Sequence, residues 1–134
     1  MFIPKNFKFR KQQKGKNITK IFSSSSNKQF NCLKLKTVDF GRLTSNQLKA
    51  LKQTITKIIK KRGRVVFKLF PQTPITKKPT EVRMGKGKGA FSHWVAKVRP
   101  GSTVCYIESE FLLLTRKALE YAKNRLPVKT KITI

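Results

Sequence analysis

Acidic residues are nearly missing from this chain. Asp39, Glu81, Glu108, Glu110 and Glu120 stand against 32 Lys and Arg in 134 residues. A net charge of +27 at pH 7 cannot be neutralised within the chain, so the isolated domain repels itself and is stabilised by polyanion. Nucleic acid is the first partner this implies, and an anionic membrane surface is the competitor. Histidine is represented by His93 alone. General acid–base chemistry needs titratable groups held near one another. One His, five scattered acids and no Gly-x-Ser-x-Gly element leave little from which to build an enzyme, and His93 reads as a core-edge or RNA-stacking residue. Cysteine is scarce too. Cys32 and Cys105 are far apart and lack C-x-x-C spacing, which argues against a zinc site; one disulfide stays open, a disulfide framework does not. Two free thiols in a reducing compartment is the preferred reading. No apolar run approaches the roughly 18 residues of a membrane-spanning helix. A membrane-surface helix would need aromatics where its basic and apolar faces meet, and the one segment with both faces, 44–62, has none.

The chain does have lysine, 24 residues to 8 arginines, together with many Ile, Phe and Asn. AT-rich codons produce that bias, which points to an AT-rich genome such as an organelle's. The rest of the chain is organised around Thr80–Ala96, T-E-V-R-M-G-K-G-K-G-A-F-S-H-W-V-A. Gly85, Gly87 and Gly89 alternate there with Lys86 and Lys88, and Arg83 and Met84 precede them. Backbone that can adopt positive φ, carries three cations and has little bulk suits phosphate. It is not a nucleotide P-loop, which requires G-x-x-x-x-G-K followed by Ser or Thr. A flexible solvated loop between two strands explains the composition equally well.

Residues 1–29 read as a basic N-terminal arm and Ser-rich loop, and residues 30–134 as one α+β domain from which a Gly–Lys loop projects at 80–92. Met1–Ile21 carries seven cations and no acid, with no periodicity that would bury a face. Followed by Ser23–Ser26, it could pass for an import peptide. It is Lys-rich rather than Arg-rich, however, and forms no clean amphipathic helix. An extended arm that orders on RNA, with Phe2, Phe7 and Phe9 free to stack on bases, is preferred.

Phe30–Val38 predicts a strand with Lys34 and Lys36 on a cationic outer face. Leu43–Gly63 predicts a helix: Thr44 and Gln47 have capping-box spacing, and Leu48, Leu51, Ile55, Ile58 and Ile59 form the buried stripe. Lys60, Lys61 and Arg62 crowd its last turn, and Gly63 supplies the stop. The helix holds no acid to pair with its lysines, which favours an RNA-facing side. Arg64–Phe70 predicts a strand. Pro71, Pro74 and Pro79 forbid regular structure in the loop that follows. Thr80–Met84 is expected to pair in a sheet, and Ser92–Arg99 with Thr103–Ile107 to form a hairpin turned at Pro100-Gly101. Phe111–Leu126 predicts a second helix with Leu114, Ala118, Tyr121 and Ala122 inward, and Val128–Ile134 a final strand. The order implies an α+β fold, two helices on one side of a mostly antiparallel sheet.

Six stretches resemble a known family: P-K-x-x-K-F-R-K-x-x-K-G-K at Pro4–Lys16, G-R-L-T-x-x-Q at Gly41–Gln47, P-x-x-P-I-T-x-K-P at Pro71–Pro79, V-R-M-G-K-G-K-G at Val82–Gly89, W-V-A at Trp94–Ala96 and L-P-V-K-T at Leu126–Thr130. In order and over nearly the whole chain, they look like the bacterial and organellar large-subunit ribosomal protein L-sixteen family. The sequence departs from that pattern at Gln12-Gln13, in Phe30–Lys36, at Gln72, Thr73 and Lys77, and through Ser23–Ser26. The resemblance implies an α/β-hammerhead type of fold and a structural, non-catalytic protein bound to rRNA beside the aminoacyl-tRNA site. Because it begins near Met1, it implies that the basic start is mature protein and not a cleaved targeting peptide.

The residues it marks for rRNA are Lys5, Lys8, Arg10, Lys11, Lys14, Lys16, Lys36, Arg42, Lys60, Lys61, Arg62, Arg64 and Lys78. The loop it turns toward tRNA, near the peptidyl transferase region, is Arg83, Met84, Gly85, Lys86, Gly87, Lys88 and Gly89. Its implied partners are large-subunit rRNA, tRNA and neighbouring ribosomal proteins, with no membrane, small-molecule substrate or cofactor. Composition tips the location to a mitochondrial ribosome, with a plastid or the bacterial cytoplasm as alternatives. A general nucleic-acid-binding protein outside the ribosome is the competing function.

Overall fold

The computed structural model describes residues 2–16, 20–22 and 32–134. The Ser23–Ser26 tract and the expected strand start at Phe30 and Asn31 lie outside the described residues. Among the described residues the order is β1 (Cys32–Thr37), β2 (Gly41–Thr44), α1 (Ser45–Ile59), β3 (Arg64–Phe67), β4 (Thr73–Lys77), β5 (Ala90–Val98), β6 (Thr103–Glu108), α2 (Leu112–Lys123) and β7 (Thr130–Thr133). All pairings are antiparallel, in a four-stranded sheet β3-β6-β1-β7 and a three-stranded sheet β2-β5-β4. The helices pack on each other, α2 against β1 and β7, α1 against β2, β3 and β5. The fold is α+β, as expected, but with two sheets in place of one.

The start of α1 follows its local chemistry. Thr44 Oγ1 accepts from the Gln47 N–H at 3.3 Å, and Gln47 Oε1 accepts from the Thr44 N–H at 2.9 Å, which closes the capping box. Leu48, Leu51, Ile55 and Ile59 are fully buried along the predicted stripe. The end differs from expectation. The helix stops at Ile59, and Lys60, at φ +57°, caps it by donating its N–H to the Thr56 carbonyl at 2.8 Å. Lys60, Lys61 and Arg62 therefore lie beyond the helix. Gly63 serves close packing instead: a Cβ there would sit 3.0 Å from the Glu108 carbonyl oxygen and from Ser109 Cβ.

In α2 the buried residues are Thr115, Ala118, Leu119 and Ala122, with Leu114 half-buried and Tyr121 exposed. The face is rotated from the expected one because Thr115, polar in any hydropathy pattern, donates its hydroxyl to the Phe111 carbonyl at 2.9 Å and can be buried. The helix ends at Lys123, with Asn124 as its cap, before Pro127 is reached.

The strand partners bring further corrections. Pro71–Pro79 is not irregular throughout: Thr73–Lys77 forms β4, and Pro74 is tolerated because β4 is an edge strand. Thr80–Met84 pairs with nothing and lies in the loop after β4. β5 and β6 do not form a hairpin, since the Pro100-Gly101 turn carries the chain from one sheet into the other. β2 was hidden under the expected helix start. Lys34 is buried and not on a solvated face, because β1 is central, with Tyr106 and Thr133 as its register partners.

Both thiols are free and buried. Cys105 stands opposite Leu35 while Cys32 stands opposite Glu108, three register steps along β1 and so on the other face of the sheet. Burial pushes the Cys105 thiol up to about 12. Burial, then Glu108, raises that of Cys32 against an opposing effect of Lys34. Phe2 joins the main core at 4% exposure, edge-on to Phe67 at 5.2 Å between ring centroids. The arm thus buries a side chain that its lack of periodicity did not announce.

Candidate nucleic-acid interface

β4 and β5 form the hairpin that presents the Gly–Lys segment. Their last rung is Lys77 opposite Ala90, so the connecting loop is residues 78–89, and Ala90–Ser92, expected within it, belong to β5. Gly89 closes the hairpin: a Cβ there would lie 2.8 Å from both the carbonyl carbon and the oxygen of Lys77. Gly85 at φ +100°, Lys86 at +52° and Gly87 at +85° make three consecutive left-handed residues with open space around the glycines. Lys78 Nζ donates to the Gly85 carbonyl and ties the tip back to its base. Arg83, Met84, Lys86 and Lys88 are exposed.

The arm lies along the same hairpin and meets its strands and loop at three points. Phe7 packs on Trp94 at 4.3 Å, and Phe91 packs on the same indole at 4.9 Å. Lys88 Nζ donates to the Gln12 carbonyl, and Lys11 Nζ donates to the Lys88 carbonyl at 3.4 Å. Gly15, at φ +67°, leaves room for Lys97 Nζ, which would be 3.2 Å from a Cβ at that position. Lys5, Lys8, Arg10, Lys11, Lys14 and Lys16 are all exposed.

Where the arm passes β2, a cleft of about 120 Å³ forms from Lys16, Phe40, Gly41, Arg42, Lys97, Val98 and Arg99. Register pairing sets Arg42 directly opposite Lys97. Four cations from three segments line this cleft and no carboxylate does. Among the described residues the only ion pair is Arg116–Glu120 at 3.4 Å on α2. Mutual repulsion of these cations in a recess is relieved by an anion. Sequence reasoning singled out Lys16 and Arg42 but missed Lys97 and Arg99; two cations two residues apart at the end of a strand, just before Pro100, were the available signal.

Lys36, Lys60, Lys61, Arg62 and Arg64 are not brought to this surface. They belong to the four-stranded sheet and the exit of α1, with Arg62 5.6 Å from the Phe111 ring. Lys49, Lys52 and Lys57 line, with Phe2, an open groove of about 570 Å³ along α1. His93 is exposed, 3.0 Å from Ser92 Oγ. Among the described residues no three His, Cys, Asp or Glu converge to hold a metal, and no helix is long and apolar enough to cross a membrane.

The family model described as "Ribosomal protein L16p/L10e" matches residues 4–133. The chain belongs to this family. It is 45% identical over 130 residues to the large ribosomal subunit protein uL16 of Buchnera aphidicola subsp. Baizongia pistaciae, covering 97% of this chain and 94% of the relative. It is 43% identical over 132 residues to the protein of the same name from Psychrobacter arcticus, covering 98% and 96%. A third relative of that name, from Buchnera aphidicola subsp. Cinara cedri, is 42% identical over 130 residues, covering 97% and 94%. All three are bacterial. Membership makes the chain a structural ribosomal protein and not an enzyme.

Proposed function

We propose that this chain is a structural constituent of the large ribosomal subunit, that its arm and three-stranded sheet bind rRNA, and that its Gly–Lys loop faces tRNA beside the aminoacyl site. The observation that carries this reading is the convergence of arm, loop and cleft on the β2-β5-β4 sheet, which gathers Lys11, Lys16, Arg42, Lys88, Lys97 and Arg99 along one backbone path. In this reading Lys5, Lys8, Arg10 and Lys14 extend the phosphate contacts along the arm. Lys36, Lys60, Lys61, Arg62, Arg64 and Lys78 bind separate rRNA segments. The left-handed, nearly bulk-free tip at Gly85–Gly87 enters a crevice between rRNA and tRNA, with Arg83 forking two N–H groups onto phosphate and Lys86 and Lys88 acting as point charges. The particle is a mitochondrial ribosome by the lysine-heavy composition, and the bacterial relatives make the bacterial cytoplasm the alternative.

Two measurements test it. Titration of an rRNA fragment against salt should give a steep log–log slope, and Arg42→Gln with Lys97→Gln should reduce that slope by roughly one to two units, each phosphate contact contributing about 0.7 to 0.9. An unchanged slope removes the cleft from the interface. Arg83→Ala or Gly87→Val should leave the large subunit assembled, as sedimentation reads it, but weaken tRNA binding and slow elongation. Normal tRNA binding with the variant fully incorporated would reduce the loop to an rRNA contact.

A further inference from the structure

The cleft beside β2 contains one side chain that phosphate contacts leave unused. Phe40 is 43% exposed, lines the cleft, and has no ring or cation partner on its face among the described residues. Strand register sets its surroundings. Arg42 is paired with Lys97 and Gly41 with Val98, so Phe40 and Arg99 are the next positions along the two strands. Residues two apart on a strand share a face, which groups Phe40 with Arg42 and Arg99 with Lys97. All four line the cleft. Its walls are fixed. Gly41 is pressed against Val128, whose Cγ2 would be struck by a Cβ at that position. Arg99 is tied at both backbone groups: its carbonyl accepts from the buried Thr37 hydroxyl at 2.6 Å, and its N–H donates to Ser102 Oγ at 3.3 Å. Asp39, next to Phe40, does not line the cleft and pairs with none of its cations.

We propose that this cleft takes a single unpaired nucleotide of rRNA, its base on the Phe40 ring and its phosphates between Arg42 and Lys97. The proposal rests on the reading of the cleft as part of the rRNA interface and names what enters it. Size is the first argument. A volume of about 120 Å³ lies below the roughly 300–1,000 Å³ of pockets for drug-sized ligands, so the recess encloses one planar ring system and leaves sugar and phosphate at the rim. Chemistry is the second. A duplex presents phosphate and sugar with its bases stacked inside, which satisfies the cations but leaves Phe40 in water. An unpaired base offers its π-face, and bases stack on aromatic rings and on guanidinium planes alike. Phe40 and Arg99, on facing strands, supply one of each. The flanking phosphates are met by Arg42, which can fork two N–H groups onto one of them, and by Lys97 and Lys16 as point charges. Because the walls are already held, little ordering is needed when the nucleotide enters.

Titration of a large-subunit rRNA transcript with the full chain, at several salt concentrations and with unrelated RNA as competitor, separates base from phosphate. Phe40→Leu keeps apolar bulk and removes the π-face. It should weaken binding by roughly 5- to 150-fold, the loss of one stacked base converted at tenfold per about 1.4 kcal/mol, with the salt slope unchanged. Phe40→Tyr should retain wild-type affinity. Equal loss in both variants would make Phe40 a packing residue and overturn the nucleotide site. Wild-type affinity in Phe40→Leu, beside a slope lowered by Arg42→Gln with Lys97→Gln, also overturns it and leaves the cleft a phosphate contact. An unchanged slope in that double variant removes the cleft from the rRNA interface altogether, and the nucleotide site with it. Should Phe40→Leu fail to fold, p-azidophenylalanine placed at Phe40 and irradiated in purified large subunits reads the same site. An adduct on the base of one unpaired rRNA nucleotide supports the proposal. An adduct on ribose or on protein, or no adduct, overturns it.

Discussion

Phe7 holds the arm against the body, and Phe7→Ala tests whether that contact exists in the free protein. The Phe7–Trp94 pair, at 4.3 Å between centroids with rings tilted 51°, is of the kind that contributes about 0.5–1.5 kcal/mol beyond area burial. At about 1.4 kcal/mol per decade, its loss should lower the ratio of docked to undocked arm by roughly two- to twelvefold. The hydrogen bonds from Lys88 to Gln12 and from Lys11 to Lys88 join exposed groups and cannot make up the difference. Trp94 is the only tryptophan, so intrinsic fluorescence reports this site alone. In the variant its emission should move to longer wavelength and its quenching by acrylamide, a neutral quencher unaffected by the protein's charge, should rise. Phe9→Ala is the control, because Phe9 is exposed and, among the described residues, its only ring partner is Lys8 at 5.7 Å. Wild-type emission and quenching in the Phe7 variant, or an equal change in the Phe9 variant, would refute the docked arm and restore the arm that orders only on RNA.

Phe2→Ala should cost about 3–5 kcal/mol in urea unfolding, as for a buried core aromatic, and a loss below about 1 kcal/mol would mean that Phe2 is not in the core. Thr44→Ala should cost about 1 kcal/mol through loss of the cap, read by the same assay. Cys105 is held neutral in the fold with its pKa raised from 9.0 to about 12, so its contribution is fully present below pH 9.0 and is lost as pH rises toward 12. Unfolding of wild type against Cys105→Ala across that window should converge with rising pH, and parallel curves would contradict the burial of the thiol.

What was legible in the sequence was local. α1 could be read because the Thr44–Gln47 box, the leucine–isoleucine stripe and the absence of breakers all act within a few residues of each other. The face of α2 was misread because Thr115 hides its hydroxyl on its own helix, which hydropathy cannot register. Alternation located most strands but not their partners, since it says which residues share a face and nothing about the neighbouring strand. Hence the false β5–β6 hairpin and the missed β4. The arm and the Gly–Lys loop were each conspicuous as basic segments. That they touch, through Phe7 on Trp94 and Lys88 on Gln12, depends on contacts far apart in the chain. The cleft was invisible for the same reason: Lys97 and Arg99 meet Arg42 only once β2 has paired with β5.

The position of β7 has a consequence for synthesis. β1, near the start of the described body, is flanked by β6 and β7, so the unpaired edge of this central strand is covered only when residues 130–133 arrive. Until then a nascent chain presents a strand edge of Lys34 through Thr37, with Leu35 among them, open to pairing with any other extended chain. Completion of the four-stranded sheet is therefore a late event on the ribosome that makes the protein. The high positive charge is then a safeguard of a second kind, keeping half-made copies apart through the interval in which their backbones could join.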